Sequence, residues 1–231
     1  MKHNAPKPLF STLAVEASDR ETQSILHLIS RGDNPLDFTR IIPMPARLDI
    51  EAGKAEDRAI NLYRYFLSKR EEPENETRDE EEFLELLNHK DQRTFRMGKE
   101  LVRNIDEYGF SSYPSWCRTN WGTDRNAVNA AKLNSNTIVF AANATPPLNV
   151  ICELSEQYSG AKFILTWEDA SLLLANNDVM KYRVVYENGR ECSFTYSVTQ
   201  REIAEYFRTD ELGAPSGLAF EMIPDEEDIQ F

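Results

Sequence analysis

The chain has 231 residues and a mass of 26.6 kDa, a length that suits one large domain or two small ones. Its composition, 41% hydrophobic, 10% aromatic and 28% charged, excludes a wholly disordered chain; no apolar run approaches the ~18 residues of a membrane span, and residues 1–10 lack the apolar stretch of a secretory signal. The formal net charge is −13, and three widely spaced cysteines (Cys117, Cys152, Cys192) suit free thiols in a reducing compartment better than a disulfide framework or a zinc site. The expectation is a soluble, cytoplasmic, acidic protein with no membrane association and no cofactor.

In chain order, residues 1–8 read as a flexible N-terminus. Leu9 to Ala17 reads as a strand, and Ser18 with Glu21 forms a capping box ahead of Ile25, Leu26 and Ile29, which share a helical face. Gly32 is a fitting helix stop. Phe38 to Ile42 then reads as a short strand ended by Pro43 and Pro45, which completes a β-α-β unit. Residues 51–110 read as a helical insertion. Ala59, Leu62, Tyr63, Phe66 and Leu67 recur at helical spacing, 70–78 look like a linker, and 79–108 resume a helix with a break near Asn88 to Gln92 and a stop at Gly109. Within this insertion, residues 71–82 hold eight acids and one base.

Beyond the insertion, Thr137 to Ala142 reads as a strand. Thr145 is positioned to cap a helix with Pro146 and Pro147 in its first turn and Val150, Ile151, Leu154 and Tyr158 as its apolar stripe, closed by Gly160. Ala161 to Trp167 alternates, with Phe163, Leu165 and Trp167 on one face. Lys181–Glu187 and Arg190–Ser197 flank Asn188-Gly189, a strong hairpin signal because both turn positions need positive φ. Thr199 with Glu202 predicts a last short helix carrying Ile203, Tyr206 and Phe207. A tail over 209–231 follows, whose last eleven residues hold five acids and no base. The predicted fold class is α+β: a ferredoxin-like split β-α-β sandwich over 9–50 and 111–208, with the α-helical insertion and an extra C-terminal β-hairpin.

The segment Trp116-Cys117-Arg118-Thr119-Asn120-Trp121-Gly122-Thr123 is unusual for core patterning. With Ile41-Ile42-Pro43-Met44-Pro45 upstream, and Phe140, Pro146-Pro147 and Trp167-Glu168 downstream, it resembles the YubB-type ferredoxin-like domain family over roughly residues 36–197. That family is carried by plasmids and phages of enteric bacteria. Leu9 to Ala17 lacks the Trp-Cys-x-Asn opening of the family, and two further family tryptophans are replaced, around Asp124–Arg125 and around Ala144. The resemblance implies a ferredoxin-like fold and a mobile-element setting, and it carries no assigned activity.

Catalytic patterns do not emerge. His3, His27 and His89 are scattered and form no metal-ligand spacing. There is no phosphate-binding glycine loop and no G-x-S-x-G elbow. Cys117 is the one thiol with a cation beside it in sequence, Arg118. The Trp-Cys segment supports two readings. In one it is architectural: Trp116 and Trp121 cover the end of the sheet and Gly122 allows a tight turn. In the other it is an interaction loop of Trp116, Arg118, Asn120, Trp121 and Arg125, since tryptophan and arginine are typical interface anchors. From Ser111 to Cys152 three bases face one acid, so this stretch is locally basic.

Three functions follow as expectations. The first is a non-enzymatic accessory protein of a plasmid or phage that binds a host or defence protein. The second is a single-stranded nucleic-acid-binding module using the Trp-Cys loop and a sheet face with Phe140, Phe163, Leu165 and Trp167. The third is an acidic DNA mimic.

Overall fold

The structure, a computed structural model, describes residues 8–71, 79–143, 145–169 and 178–200. The elements run β1 (Pro8–Glu16), α1 (Asp19–Leu28), α2 (Glu56–Glu71), α3 (Glu80–Glu85), α4 (His89–Tyr108), α5 (Tyr113–Asn120), β2 (Val128–Lys132), β3 (Thr137–Asn143), α6 (Leu148–Gln157), β4 (Lys162–Asp169), β5 (Asp178–Glu187) and β6 (Arg190–Gln200). The protein is α+β. Its six strands form one antiparallel sheet in the order β2-β3-β1-β4-β5-β6.

β1 is central, with Leu13 registered between Ile138 of β3 and Leu165 of β4. Strand alternation sends Leu9, Leu13 and Val15 to the face that also carries Ile138, Phe140, Phe163 and Leu165. There they pack with Ile25 and Leu26 of α1 and Val150, Ile151 and Leu154 of α6 in one buried core. The apolar stripes read from the sequence of both helices are therefore the stripes that bury. The opposite face of the sheet holds further buried apolar side chains, Val139, Ala141, Ile164 and Val185.

One sequence expectation fails in an instructive way. Phe38–Arg40 is a 3-10 turn, not a strand. The carboxylate of Asp37 accepts the Thr39 N–H at 3.0 Å, and the Phe38 N–H is taken by Asn126 Oδ1 at 2.8 Å. Local side-chain bonding of this kind outcompetes the β propensity of Thr39, Ile41 and Ile42. The strand that lies outside β3 is instead β2, Val-Asn-Ala-Ala-Lys, an edge strand with little apolar mass. Asn129 takes a left-handed φ of 53° where its register to β3 shifts between Val128 and Ala131.

Other differences are smaller. Thr145 does not cap α6, which starts at Leu148 behind Pro147; its hydroxyl donates to the Gly122 carbonyl at 2.6 Å. α1 ends at Leu28, before Gly32, and α6 ends at Gln157, before Gly160. The break in the helical insertion falls at Leu86–Asn88, where Asn88 caps α4 by accepting the Asp91 N–H at 3.0 Å. Gly109 stops α4 with a φ of 77°. Thr199 belongs to β6, opposite Val179. The rest of the predicted last helix, the tail and most of the 70–78 linker lie outside the described residues.

α2 and α4 pack closely because Gly98 faces the Ala59 carbonyl; an added Cβ at Gly98 would stand 2.0 Å from that oxygen. Beside this contact Tyr63, Phe66, Phe83 and Phe95 form a ring cluster with centroid separations of 5.1–6.0 Å. Asn104 of α4 ties the pair to the remainder of the fold, donating to the carbonyls of Arg47 at 3.0 Å and Ser111 at 3.1 Å. Glu56 of α2 accepts the hydroxyls of Ser111 and Ser112.

Candidate interaction surface

The Asn188-Gly189 turn has φ values of 51° and 69°, as the hairpin reading requires. It sets a register in which Tyr196 lies opposite Tyr182, Phe194 opposite Val184 and Val198 opposite Met180. Trp167 of β4 lies opposite Tyr182 on its other side. All these side chains share the face of the sheet that α1 and α6 cover elsewhere. α6 reaches only the turn end of the hairpin, where Ser155 Oγ accepts the Gly189 N–H at 2.9 Å and Cys152 Sγ donates to the Gly189 carbonyl at 3.2 Å.

Beyond α6 the aromatic residues become progressively exposed toward β6. Trp167 and Tyr182 stack with centroids 5.2 Å apart and planes 15° from parallel. Phe194 lies 6.1 Å from both rings, and Tyr196 lies 6.4 Å from Tyr182. Exposure rises outward, from 7% at Trp167 to 49% at Phe194, 57% at Val198 and 68% at Tyr196. The other exposed large apolar residues described, Leu28, Tyr65, Leu86 and Val128, are dispersed over separate elements. An apolar strip on the outermost strand is a surface for an apolar or aromatic partner, or for an added strand. Sequence reasoning found the hairpin but missed this strip. The signal was present in the alternation of Phe194, Tyr196 and Val198 with Thr195, Ser197 and Thr199; what it lacked was the length of α6, which decides how much of that face is covered.

The residues proposed from sequence as an interaction loop occupy a helix and the turn after it. Trp116 and Cys117 are buried within α5, and Trp121 caps its C-terminus. The two indoles meet edge to face at 5.4 Å, and Trp121 meets Phe38 at 5.7 Å. Trp121 Nε1 donates to the Ile42 carbonyl at 3.0 Å. Both rings are thus core residues that lock the Ile-Ile-Pro-Met-Pro segment onto α5. Asn120 Nδ2 donates to the Trp116 carbonyl at 2.9 Å, a bond within the helix. Arg118 is exposed. Arg125 reaches Glu51 and Asp124, each at 3.8 Å. Burial, and then the charge of Asp124, push the Cys117 thiol up to about 12 against a small opposing effect of Arg118, which removes it as a nucleophile at neutral pH. Phe140, Phe163 and Leu165 are fully buried under the helices and offer no stacking face to a base; of that set Trp167 alone borders the exposed strip, itself buried at 7% exposure.

The buried carboxylate of Asp37 is held by side chains of the fold. Asp37, 3% exposed, accepts from the Thr39 hydroxyl at 2.7 Å and from Asn126 Nδ2 at 2.7 Å, with Arg31 at 3.7 Å. Burial opposes its ionisation, but these hydrogen bonds and the Arg31 charge outweigh burial and hold the carboxyl below its ordinary value. His27 and His89 are both exposed. Among the described residues no group of three or more His, Cys, Asp or Glu side chains is placed to hold a metal ion. None of the described helices is long and apolar enough to cross a membrane.

No protein-family model matches the chain, and no curated protein matches it. Among solved structures it is similar to a protein api92 from Yersinia pseudotuberculosis of the family DUF1281, with 9% identity and a TM-score of 0.36 over 86% of this chain and 100% of that one.

Proposed function

We propose that the protein is a non-enzymatic accessory protein of a plasmid or phage, acting in the bacterial cytoplasm by binding a host or defence protein. The observation that carries this reading is the exposed strip of Phe194, Tyr196 and Val198 on the outermost strand, backed by the Trp167–Tyr182 stack. Aromatic residues are the commonest energetic anchors of protein interfaces. The resemblance of the Trp116–Thr123 and Ile41–Pro45 segments to the YubB-type family supports the mobile-element setting. A ferredoxin-like core is supported by the order β2-β3-β1-β4 with α1 and α6 on one face, β5 and β6 being the appended hairpin.

A tagged full-length chain incubated with bacterial lysate, with and without nuclease, tests this beside a Phe194→Ser/Tyr196→Ser/Val198→Ser variant of matched thermal unfolding. The expected result is a nuclease-resistant protein partner retained by the wild type and lost from the variant. Retention by the variant removes the strip as the interface.

A second reading, single-stranded nucleic-acid binding, draws support from the near-parallel rings on a sheet surface, since bases stack on such platforms. The net charge of −13 opposes it. A nuclease-sensitive association in the same experiment would favour it.

A further inference from the structure

Charge is sorted between the two faces of the sheet around the exposed strip. Strand alternation turns Trp167 and Asp169 of β4, and Asp178, Met180 and Tyr182 of β5, to the side that carries Phe194, Tyr196 and Val198. The register of β6 shifts at Cys192, and Glu191 then lies directly opposite Tyr186, which returns it to that same side. The charged side chains that these strands place on the face of the strip are thus Asp169, Asp178 and Glu191. Their bases, Lys162, Lys181, Arg183 and Arg190, all stand on the opposite face, where Lys162 meets Glu187 at 3.1 Å. α6, which borders the strip, carries Glu153 and Glu156 and no base, and Glu156 adjoins the turn at Gly189. Groups at that end respond to the acids: burial, and then Glu191, raise the Tyr186 hydroxyl above its ordinary value, and burial, then Glu156 and Glu153, do the same to the Cys152 thiol.

An aromatic strip edged by acids selects its partner by charge. Ring faces attract cations, and the aliphatic stems of lysine and arginine lie along apolar surface while their charged ends stay in water. Acids beside the rings repel phosphates and acidic proteins. Resting on the reading of this strip as the interaction surface, we infer that the partner's contacting segment is a basic stretch of protein, whose lysine or arginine stems lie over Phe194 and Tyr196 and whose charged ends reach Asp178 and Glu191. Asp178 lies beyond the Met180–Val198 pair at one end of the strip, and Glu191 lies toward the turn at the other. The segment therefore lies lengthwise along β6. Its apolar residues fill the spaces between the exposed side chains of the strip.

Fluorescence anisotropy of short labelled peptides with the full chain tests the inference. The probe alternates arginine with leucine; glutamine–leucine and glutamate–leucine peptides of equal length and an oligothymidine accompany it. The arginine peptide is expected to bind, and to bind less tightly as salt is raised. The other probes are expected to bind about tenfold more weakly or not at all. Asp178→Asn/Glu191→Gln, with an unchanged far-UV spectrum, is expected to weaken the arginine peptide about fivefold and to leave the glutamine peptide as it was. Glu100→Gln, at an exposed acid of α4, is expected to change neither. The inference is overturned if the arginine peptide does not bind, if the glutamine peptide binds equally, or if the oligothymidine binds in its place. An arginine peptide indifferent to the double amide variant, or weakened as much by Glu100→Gln, overturns it too. These outcomes separate from those of the binding reading. A lysate partner lost from the triple serine variant, with no preference for the arginine peptide, sinks the basic segment alone. A strip that prefers the arginine peptide while the lysate partner is retained by the triple serine variant supports the charge selection and sinks the binding reading alone.

Discussion

Ser155 in the last turn of α6 accepts the backbone N–H of Gly189 at 2.9 Å, so one buried hydroxyl fixes the tip of the β5–β6 hairpin to the helical layer. The same hydroxyl donates to the Cys152 carbonyl at 2.8 Å, which leaves its lone pair aimed at the turn. The exposed strip on the hairpin thus has a rigid hinge at one end.

Replacing Ser155 by Ala leaves the Gly189 N–H without its acceptor beneath α6. Gly189 is half-buried, so losing this hydrogen bond is expected to cost about 1 kcal/mol. Urea unfolding of Ser155→Ala is expected to show a loss of about that size. Amide hydrogen exchange is expected to quicken at residues 188–190 before it changes in β1. Equal protection at the turn in both proteins would show that the hydroxyl does not hold it.

Ser11 offers the opposite sign. It is fully buried in β1 between Phe140 and Trp167, and its hydroxyl has no hydrogen-bond partner among the described residues. Ser11→Ala removes a desolvated polar group without opening a sizeable cavity and is expected to stabilise the fold by about 1 kcal/mol. A lower thermal midpoint for the variant would contradict this.

Acid sensitivity should trace in part to Asp37. Its folded carboxyl titrates below the ordinary value, so the stabilisation is fully present at neutral pH and is lost as pH falls through the folded value. Asp37→Asn is expected to be less stable at pH 7 and to lose less further stability on acidification than the wild type. Parallel stability profiles for the two proteins would exclude Asp37 as a source of the pH dependence.

Gly98→Ala forces a methyl group toward the Ala59 carbonyl oxygen, a backbone atom that moves only if α2 and α4 part. Overpacking of this order costs about 3 kcal/mol. Near-ultraviolet circular dichroism from the Tyr63–Phe95 ring cluster is the sensitive readout, and an unchanged signal with unchanged stability would mean that the helices part freely.

Much of this architecture was legible in the sequence where the physical signal is local. The Asn188-Gly189 turn, the capping of α1 by Ser18, the stop at Gly109 and the alternation of Phe163, Leu165 and Trp167 each depend on a few neighbouring residues. Phe38–Ile42 misled because its strand-forming side chains are overruled by Asp37 and by Asn126, a residue distant in sequence. β2 carried almost no signal because an edge strand need bury little. The tryptophan pair supported both an architectural and an interaction-loop reading, and Trp121 sits 2% exposed with its N–H on the Ile42 carbonyl. Unusual composition identified a constrained region without saying whether core or partner imposed the constraint. The aromatic strip lay hidden for the converse reason: its exposure depends on where α6 ends, a property of the assembled layers.

The central place of β1 also governs the order in which the molecule can be made. Both strands that flank it come late in the chain: β3 begins at Thr137 and β4 at Lys162. On the ribosome, where domains form from the N-terminus as the chain emerges, β1 has no sheet neighbour while residues 17–136 are being synthesised. α2 and α4 need only each other for their closest contact and can pair in that interval. Assembly of the sheet waits for its last-made strands, and a nascent chain stalled before Thr137 would present Leu9, Leu13 and Val15 to chaperones.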